Sequence, residues 1–220
     1  MNERSNHSED RFEERREIIP PSNIIQAYSD GYFPMAESSR ADSDIFFYTA
    51  PMRGIIPMDE FHISKRSRRY FRKYGFEMAL NQHFDDVIEG CADRESTWIN
   101  PIIRDTFLYL HQLGIAHSVE VLKEGELVGG LYGLALGGAF FAESVFQYHD
   151  EAHKAALYFC HKHLKEREFE LWDVQFKTDH LSTFGCIEVP AKKYKKMLHE
   201  AIRFQRSFQA GSNTHSIADS

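Results

Sequence analysis

The segment 117–146, HSVEVLKEGELVGGLYGLALGGAFFAESVF, is the part of the sequence that decides the fold. It contains three apolar runs, which the short sequences EGE and GG separate. The first run alternates polar and apolar residues with the period of two that is typical of a half-buried strand. Consecutive strands joined by glycine turns form an antiparallel meander. The segment therefore predicts a central sheet with strands at 117–123, 127–137 and 139–146.

On the C-terminal side of this meander, the sequence predicts a helix, a strand and a second helix. Residues 150–168 have helical periodicity, and 169–176 is a short apolar run typical of a strand. The final helix is expected at 190–204, with Pro190 at its first helical position. A meander followed by a helix, a strand and a helix implies a mixed, layered α+β structure.

On the N-terminal side, the pattern also mixes helices with short strands. Ser22 is the expected cap of a short helix that ends at Gly31, and Pro34 lies in an expected aromatic turn. The next segments read as strands at 45–48, 54–58 and 76–80, and as helices at 64–74, 84–92 and 101–113.

Composition limits the classes of protein to which this 220-residue chain belongs. With 42% apolar and 14% aromatic residues it can build a core, which excludes a wholly disordered protein. The net charge of −7 is unfavourable for indiscriminate binding to nucleic acid. No apolar run is long enough for a membrane helix, and no signal peptide is expected. The three cysteines, which lack CxxC spacing, fit a reducing cytoplasm (Cys91, Cys160 and Cys186).

A basic run, SKRSRRYFRK at 64–73, stands out in this acidic chain. On a helix most of its cations share one face, where like charges repel unless an anion is bound. Phosphate binding and a merely solvated helix face both remain open for this run. Its cationic residues are Lys65, Arg66, Arg68, Arg69, Arg72 and Lys73.

Three polar residues lie in predicted strands, where they are candidates for chemistry. Glu143 lies within the apolar run AFFAESVF, and burying a carboxylate without a partner is costly. Asp173 and Gln175 are two residues apart, so they face the same side of a strand. A carboxylate can accept a proton and an amide can orient a substrate, but an outward Glu143 and a plain polar sheet face are the alternatives.

Glycines and histidines give weaker signals. Gly129, Gly130 and Gly133 lie in a strand interior, where they indicate either bulges or a close approach by a backbone or ligand. The run LVGGLYG is not a GxGxxG sequence that opens a helix, so a Rossmann nucleotide site is not expected. His149 and His153 have zinc-compatible spacing but no HExxH motif and no obvious third ligand.

Taken together, the motifs resemble those of the bacterial leucyl/phenylalanyl-tRNA–protein transferase family. The resemblance covers about 20–200 and rests on AYSDGYFPM, PMRGIIPMDEFHIS, TWI, LHQLGIAHSVEV, LVGGLYG, FFAESVF and DVQ. It implies a small N-terminal α/β domain at 18–62 and, at 63–206, a GNAT-like acyltransferase domain with a mixed, largely antiparallel sheet flanked by helices. The remaining segments, 1–17 and 207–220, are expected to be disordered tails.

The activity that the resemblance implies is transfer of Leu or Phe, with Met as a further candidate. The donor is aminoacyl-tRNA, and the acceptor is the α-amine of a protein with N-terminal Lys or Arg. This transfer marks the acceptor for degradation under the N-end rule. No cofactor or metal is implied, and a cytoplasmic monomer is expected.

Site residues follow from the resemblance by position. Asp173 and Gln175 match the catalytic pair, with Asp173 expected to accept the amine proton, and Glu143 matches a further glutamate of the site. The matched apolar pocket residues are Leu131, Phe140 and Val145. Tyr48 and Trp98 match the aromatic pair that holds the terminal adenosine, while Arg53 and the six cations of 65–73 match tRNA-binding positions.

Several positions depart from the family pattern, and these departures keep other functions open. The stacking residue is Tyr48 instead of Trp, and Val145 replaces a flexible Met. Strict strand alternation would place Glu143 and Val145 on one face and Phe140 on the other, so Val145 is expected to point away from the pocket. The alternatives are a GNAT-fold relative with altered specificity, an acetyltransferase, or a non-catalytic tRNA-binding adaptor. An acetyltransferase would normally show a glycine-rich phosphate-binding signature that this sequence lacks.

Overall fold

The computed structural model describes residues 17–209 and 215–216, so most of the two expected tails lies outside the described residues. The helices are α1 (Pro21–Ser29), α2 (Lys65–Lys73), α3 (Phe84–Ala92), α4 (Pro101–Gln112), α5 (Ala152–Glu166), α6 (Asp179–Ser182) and α7 (Ala191–Ala201). The strands are β1 (Phe33–Ala36), β2 (Ile45–Tyr48), β3 (Met52–Ile55), β4 (Phe76–Leu80), β5 (Ala116–Lys123), β6 (Glu126–Leu136), β7 (Ala139–Gln147), β8 (Leu171–Gln175), β9 (Ile187–Pro190) and β10 (His215–Ser216).

The strands form a two-stranded sheet, β1-β2, and a larger sheet in the order β10-β4-β5-β6-β7-β8-β3-β9. The predicted meander is confirmed, because β5, β6 and β7 pair antiparallel in sequence order. Within the described residues, β7 and β8 are the only neighbours that pair in parallel. The predicted fold class, α+β with a mixed, largely antiparallel sheet flanked by helices, is therefore confirmed.

Helices cover both faces of the larger sheet and divide the core in two. On one face, apolar side chains of α1, α3, α4 and α7 pack together, and we call this the α1/α7 layer. On the other face, α5 lies along the sheet and Phe71 of α2 packs beside it, and we call this the α2/α5 layer. The α5 helix is amphipathic because small and apolar residues recur at helical spacing, as the sequence pattern predicts.

A β-bulge interrupts the pairing of β6 and β7. Tyr132 lies opposite Ser144, whereas the next residue, Gly133, lies opposite Ala142. Glu143 is therefore an extra residue on β7. A Cβ atom on Gly133 would lie 2.3 Å from the carbonyl oxygen of Phe141, so glycine allows the strands to approach closely here. The close-approach interpretation of this glycine is confirmed.

The bulge also changes which residues of β7 share a face. Glu143 bonds to Tyr28 in the α1/α7 layer, whereas Val145 packs with Phe140 in the α2/α5 layer. The expectation that Glu143 and Val145 share a face is wrong, because an extra residue reverses the alternation beyond it.

Several local predictions need correction. Helix α1 follows Pro20, no side-chain cap bonds its first turn, and Ser22 lies inside the helix. The expected aromatic turn around Pro34 is part of strand β1, which β2 stabilises by pairing. Pro190 precedes the first helical residue of α7 instead of occupying it. Strand β9 was not predicted, because its four residues carry no clear alternation of buried positions.

The structure also differs from the prediction at the domain boundary and at the start of the C-terminal tail. Strand β3, which begins at Met52, pairs with β8 and β9 in the larger sheet, so strand pairing favours a domain boundary before 52 over one at 62. The expectation of disorder from Ser207 onwards is wrong at Phe208, which is 2% exposed. Its ring stacks on His117 and Phe140, with centroids 4.5 and 5.0 Å away.

Candidate active site

The site lies where the parallel pairing of β7 and β8 stops. The last paired residues are Phe141 and Asp173. Just beyond them, the two strands are linked by side chains, because Nε2 of Gln175 donates a hydrogen bond of 3.0 Å to Oε1 of Glu143. The three polar residues predicted from the sequence, Glu143, Asp173 and Gln175, are thus brought together at this point.

Glu143 is a buried carboxylate with one free oxygen. Its Oε1 atom also accepts a hydrogen bond of 2.7 Å from the hydroxyl of Tyr28. The other oxygen, Oε2, is buried and has no hydrogen-bond partner among the described residues. Burial raises the pKa of Glu143 from 4.5 to about 7, against the opposing effect of the bonds from Tyr28 and Gln175. Near neutral pH this side chain can therefore either hold or accept a proton.

Asp173 has different surroundings, because its oxygens are occupied by donors. Arg53 donates from Nε at 3.0 and 3.1 Å and from Nη2 at 2.8 Å. The Tyr194 hydroxyl donates to Oδ2, and the backbone N–H of Gln175 donates to Oδ1 at 2.8 Å. Asp173 is fully buried and Arg53 is 1% exposed. Both oxygens of Asp173 are therefore occupied by donors from this chain.

Arg53 and Tyr194 are themselves fixed by neighbouring groups. The Arg53 guanidinium lies 4.5 Å from the ring centroid of Phe33 and 4.9 Å from that of Tyr194. Burial, together with the charge of Asp173, raises the pKa of Tyr194, so its hydroxyl stays protonated and donates. The prediction that Arg53 binds tRNA is wrong, because its guanidinium is buried and paired with Asp173.

Gln175 ends β8 in an unusual backbone conformation. Its φ angle is +62°, in the left-handed region that non-glycine residues rarely adopt. The bond from its N–H to Asp173 is one interaction that holds this geometry. The turn aims the amide of Gln175 at Glu143. Asp173 therefore positions Gln175, and Gln175 in turn contacts Glu143.

The predicted pocket residues lie on the other side of the sheet from Glu143. Leu131 and Val145 are direct cross-strand partners, and both pack with Phe140 in the α2/α5 layer. Leu131 and Phe140 are fully buried, and Val145 is half-buried. The structure thus groups the three residues, while their role in binding a side chain stays a prediction.

The predicted adenosine-binding pair is less close than expected. The backbone oxygen of Trp98 accepts a hydrogen bond of 3.2 Å from the N–H of Ala36, at one end of β1. Tyr48 pairs with Phe33 at the other end. With a rise of about 3.3 Å per residue, the ends of this strand are about 10 Å apart. Trp98 is half-buried and Tyr48 is exposed, and adenosine binding by the pair stays a prediction.

The basic helix is confirmed as a structural element. Ser64 caps α2 by accepting a hydrogen bond from the N–H of Ser67, and Ser67 and Phe71 are the buried residues of its inner face. All six predicted cations are exposed: Lys65, Arg66, Arg68, Arg69, Arg72 and Lys73. Their binding of tRNA stays a prediction.

Three functional contacts were missed by sequence reasoning. Three side chains contact the two buried carboxylates from 120, 115 and 21 residues away in the sequence: Arg53, Tyr28 and Tyr194. Tyr28 and Arg53 lie within motifs that carry the resemblance, so their positions were marked but their roles were not. No local pattern singles out Tyr194.

No group of three or more His, Cys, Asp or Glu side chains is arranged to hold a metal ion within 17–209 and 215–216. Over the same part of the chain, no helix has the length and apolar character needed to span a membrane.

Comparison with known proteins gives matches along most of the chain. The family described as "Leucyl/phenylalanyl-tRNA protein transferase" matches residues 55–199, and its N-terminal domain matches 18–51. A protein from Ruegeria pomeroyi named leucyl/phenylalanyl-tRNA–protein transferase is 43% identical over 192 residues. That match covers 87% of this chain and 91% of the relative.

Solved structures with a likeness to the chain are more distant in sequence. L-PGS from Bacillus licheniformis has a TM-score of 0.42 at 14% identity, covering 76% of this chain and 56% of that one. A GCN5-related N-acetyltransferase-like protein from Streptococcus suis has a TM-score of 0.34 at 15% identity, covering 76% of this chain and 64% of that one.

The matches to the family and to the Ruegeria pomeroyi protein define an enzyme of the aminoacyltransferase class, and the buried carboxylates Glu143 and Asp173 lie in its α+β fold. The chain belongs to the leucyl/phenylalanyl-tRNA–protein transferase family. Its reaction is aminoacyl transfer from tRNA to proteins.

Proposed function

We propose that this enzyme transfers Leu or Phe from aminoacyl-tRNA to the α-amine of proteins with N-terminal Lys or Arg. Such a transfer marks the acceptor for degradation under the N-end rule, in the cytoplasm. The observation that carries the proposal is Glu143, a buried carboxylate with a free oxygen and a pKa of about 7, beside Gln175. Its free oxygen can accept the proton that an attacking amine must lose, and the chain belongs to a family of aminoacyltransferases.

The reaction turns an ester into an amide, so it runs downhill without another energy source. The acceptor's α-ammonium first loses a proton to Oε2 of Glu143. The amine nitrogen then attacks the ester carbonyl, a C–N bond forms and the C–O bond to the ribose breaks. The leaving ribose oxygen takes up the proton that Glu143 holds, and Glu143 then accepts the second proton that the nitrogen loses as it becomes an amide. That proton passes to solvent, which restores the carboxylate. Proton transfer by a positioned carboxylate typically contributes about 10²–10⁴-fold to a rate.

This assignment changes the role expected of Asp173. A base needs an oxygen that no donor already occupies, and the oxygens of Asp173 are occupied by Arg53, Tyr194 and the N–H of Gln175. We therefore propose Asp173 as a positioning residue, which holds Gln175 in its left-handed conformation. Gln175 then orients Glu143 and the incoming amine through its side-chain amide.

The resemblance adds two substrate contacts to this proposal. An apolar pocket that includes Leu131, Phe140 and Val145 would favour apolar side chains, because charged ones would lose hydration there. Such a pocket discriminates between similar apolar side chains by a binding free-energy difference of only about 1–3 kcal/mol per methylene. The cations of α2 would bind tRNA phosphates, and the net charge of −7 would favour basic acceptors.

The acetyltransferase alternative is disfavoured by the start of α5. An acyl-CoA phosphate would need the exposed N–H groups of a helix N-terminus. Here Asp150 and Glu151 immediately precede the helix, and Glu151 accepts a hydrogen bond of 2.8 Å from Ser67. Two carboxylates at this end would repel a phosphate.

The adaptor alternative is disfavoured by the cost of Glu143. A protein that only binds tRNA gains nothing from a buried carboxylate with an unpaired oxygen, which weakens the fold.

The test of the proposed function is incubation of the protein with radiolabelled Leu-, Phe- and Met-tRNA and a peptide beginning with Arg. We expect label in that peptide from Leu- and Phe-tRNA, and none in a matched peptide whose α-amine is acetylated. Equal labelling of both peptides, or of neither, contradicts the proposal.

A further inference from the structure

Helix α7 carries a second cluster of cations that the sequence analysis did not assign. Lys192, Lys195 and Lys196 are exposed and follow one another at i, i+3 and i+4, so they lie along one side of the helix, whose buried residues include Tyr194 and Leu198. We call these three lysines the α7 lysine face. The first turn of α7 contains no acidic residue, and Glu200 in the last turn is the one carboxylate of the helix. Over the described residues, none of the three forms an ion pair with a carboxylate.

The placement of these cations is unfavourable for the helix itself. Lys192 lies in the first turn, where the helix dipole favours negative charge. It is also three and four residues from Lys195 and Lys196, a spacing at which like charges repel. A bound anion would remove both penalties. The arrangement therefore indicates a surface that meets a negatively charged ligand.

The position of α7 ties this surface to the active site. The N–H of Ala191 donates a hydrogen bond of 2.9 Å to the oxygen of Pro51, in the loop after β2. Three residues further along, the Tyr194 hydroxyl bonds to Asp173. The α7 lysine face therefore begins within one helical turn of the residues that position Gln175.

One exposed aromatic ring lies beside a lysine of this face, because the Nζ atom of Lys195 lies 5.8 Å from the ring centroid of Tyr32. Two more lie next to the chain neighbour of Tyr32: Phe33 contacts the rings of Tyr48 and Phe176, which are 41% and 48% exposed. Aromatic rings for bases next to cations for phosphates are the combination that binds single-stranded nucleic acid.

The α7 lysine face is separate from the basic helix α2. Helix α2 packs against α5, and its Phe71 belongs to the α2/α5 layer. Helix α7 packs against β3, β8 and β9 in the α1/α7 layer. The two basic surfaces therefore lie on opposite faces of the sheet. The pairing of β7 and β8 ends at Phe141 and Asp173 in the same sheet.

We propose that the α7 lysine face binds the phosphates of the single-stranded 3′ end of aminoacyl-tRNA, whose bases lie on the neighbouring exposed aromatic rings. This inference rests on the proposed function, which brings the aminoacylated 3′ end to Glu143. It assigns the single strand to α7 and leaves the duplex portion of the tRNA to α2.

The test compares three donors for transfer to a peptide beginning with Arg. The donors are full-length phenylalanyl-tRNA, a single-stranded trinucleotide with a 3′-phenylalanyl ester, and a 3′-phenylalanyl nucleoside without phosphates. In the variant with Lys192, Lys195 and Lys196 changed to Ala, we expect KM to rise at least tenfold for the first two donors. KM for the nucleoside should change less than twofold, because this donor has no phosphates.

Two controls show whether charge and position matter. Lys193 lies on the same helix but lines a groove together with Met197, outside the α7 lysine face. In Lys193→Ala, KM for the trinucleotide should therefore stay within twofold of the wild-type value. Lys195→Arg should restore affinity that Lys195→Ala loses. Changing Arg68, Arg69 and Arg72 of α2 to Ala should raise KM for full-length tRNA alone. A rise for all three donors in the α7 variant, or for none, overturns the proposal.

Binding of uncharged tRNA separates this inference from the proposed function. Each phosphate contact to a single strand contributes about 0.7 to the slope of log affinity against log salt, so the α7 variant should lower that slope by about 2. This loss supports the α7 lysine face even if the wild-type protein transfers nothing to the Arg peptide, a result that would contradict only the proposed function. An unchanged slope overturns the lysine face, even with full transfer activity.

Discussion

Replacing Glu143 by Gln removes a titrating carboxyl and keeps its shape, so it should lower activity and raise stability. The pKa of Glu143 rises from 4.5 to about 7 on folding because the side chain is buried. A tenfold change in proton affinity is worth about 1.4 kcal/mol, so keeping this group ionised costs the folded state about 3 kcal/mol. The glutamine retains the oxygen that accepts from Tyr28 and carries no charge.

The sign of the pH dependence follows from proton uptake. A carboxyl with a raised pKa in the folded state binds more protons there than in the unfolded chain. Stability is therefore lost as pH rises from about 4.5 to about 7, and the loss is complete above that range. Urea unfolding of both proteins should show Glu143→Gln gaining about 2.5 kcal/mol on the wild type between pH 5 and pH 8. Other titrating groups are common to both proteins and cancel in this difference.

Activity should move in the opposite direction. Single-turnover transfer from phenylalanyl-tRNA to an Arg peptide should fall by about 10²–10⁴-fold in Glu143→Gln. The ratio of wild-type to variant rates should increase with pH up to about 7 and then level off. Ionisation of the acceptor amine affects both proteins equally and leaves this ratio unchanged. A variant within threefold of the wild-type rate, with a ratio independent of pH, would refute Glu143 as the base.

Three further predictions follow from the same geometry. Asp173→Asn should lower single-turnover transfer at least tenfold, leave tRNA binding largely intact and cost about 3–5 kcal/mol in urea unfolding, because Arg53 loses its buried partner. Full stability in this variant would contradict the pairing. Changing three arginines of α2 to Ala should weaken binding of all aminoacyl-tRNAs alike and flatten the salt dependence measured by filter binding (Arg68, Arg69 and Arg72). Because the bulge places Val145 beside Leu131, both Val145→Met and Leu131→Ala should shift the ratio of Phe to Leu transfer more than twofold; a shift at neither site would remove them from the pocket.

The parts of the fold that were predictable from the sequence depend on local periodicity. Helical spacing identified α2 and α5, because each of these helices buries one face. Alternation of residue type identified β5, although the structure buries both of its faces. The short strand β9 was missed because it is defined by pairing with β3, which lies far back in the sequence. Strand β1 was missed because Pro34 favours a turn over a strand interior. The burial of Phe208 likewise depends on rings from β5 and β7, so a polar, tail-like composition concealed it.

The candidate site also depends on contacts that local sequence patterns do not reveal. The sequence marked Glu143, Asp173 and Gln175, but residue type alone does not say which carboxylate is available to substrate. That distinction depends on Arg53 and Tyr194, which occupy one carboxylate, and on their absence from the other. Contacts over 120 and 21 residues of sequence have no local signal.

The bulge explains why two odd features of the sequence occur together. A carboxylate inside an apolar strand and a glycine inside the neighbouring strand each weaken a sheet when taken alone. With Gly133, the two strands approach closely enough for β7 to hold an extra residue, and that residue is Glu143. Glu143 shares a face with Phe141, whose ring contacts Tyr28, and the extra residue moves Val145 to the opposite face beside Phe140. Without the bulge, strict alternation would bring Val145 to the face of Glu143 and away from Leu131 and Phe140. Gly133 is therefore tied to the predicted pocket through the strand geometry that it permits.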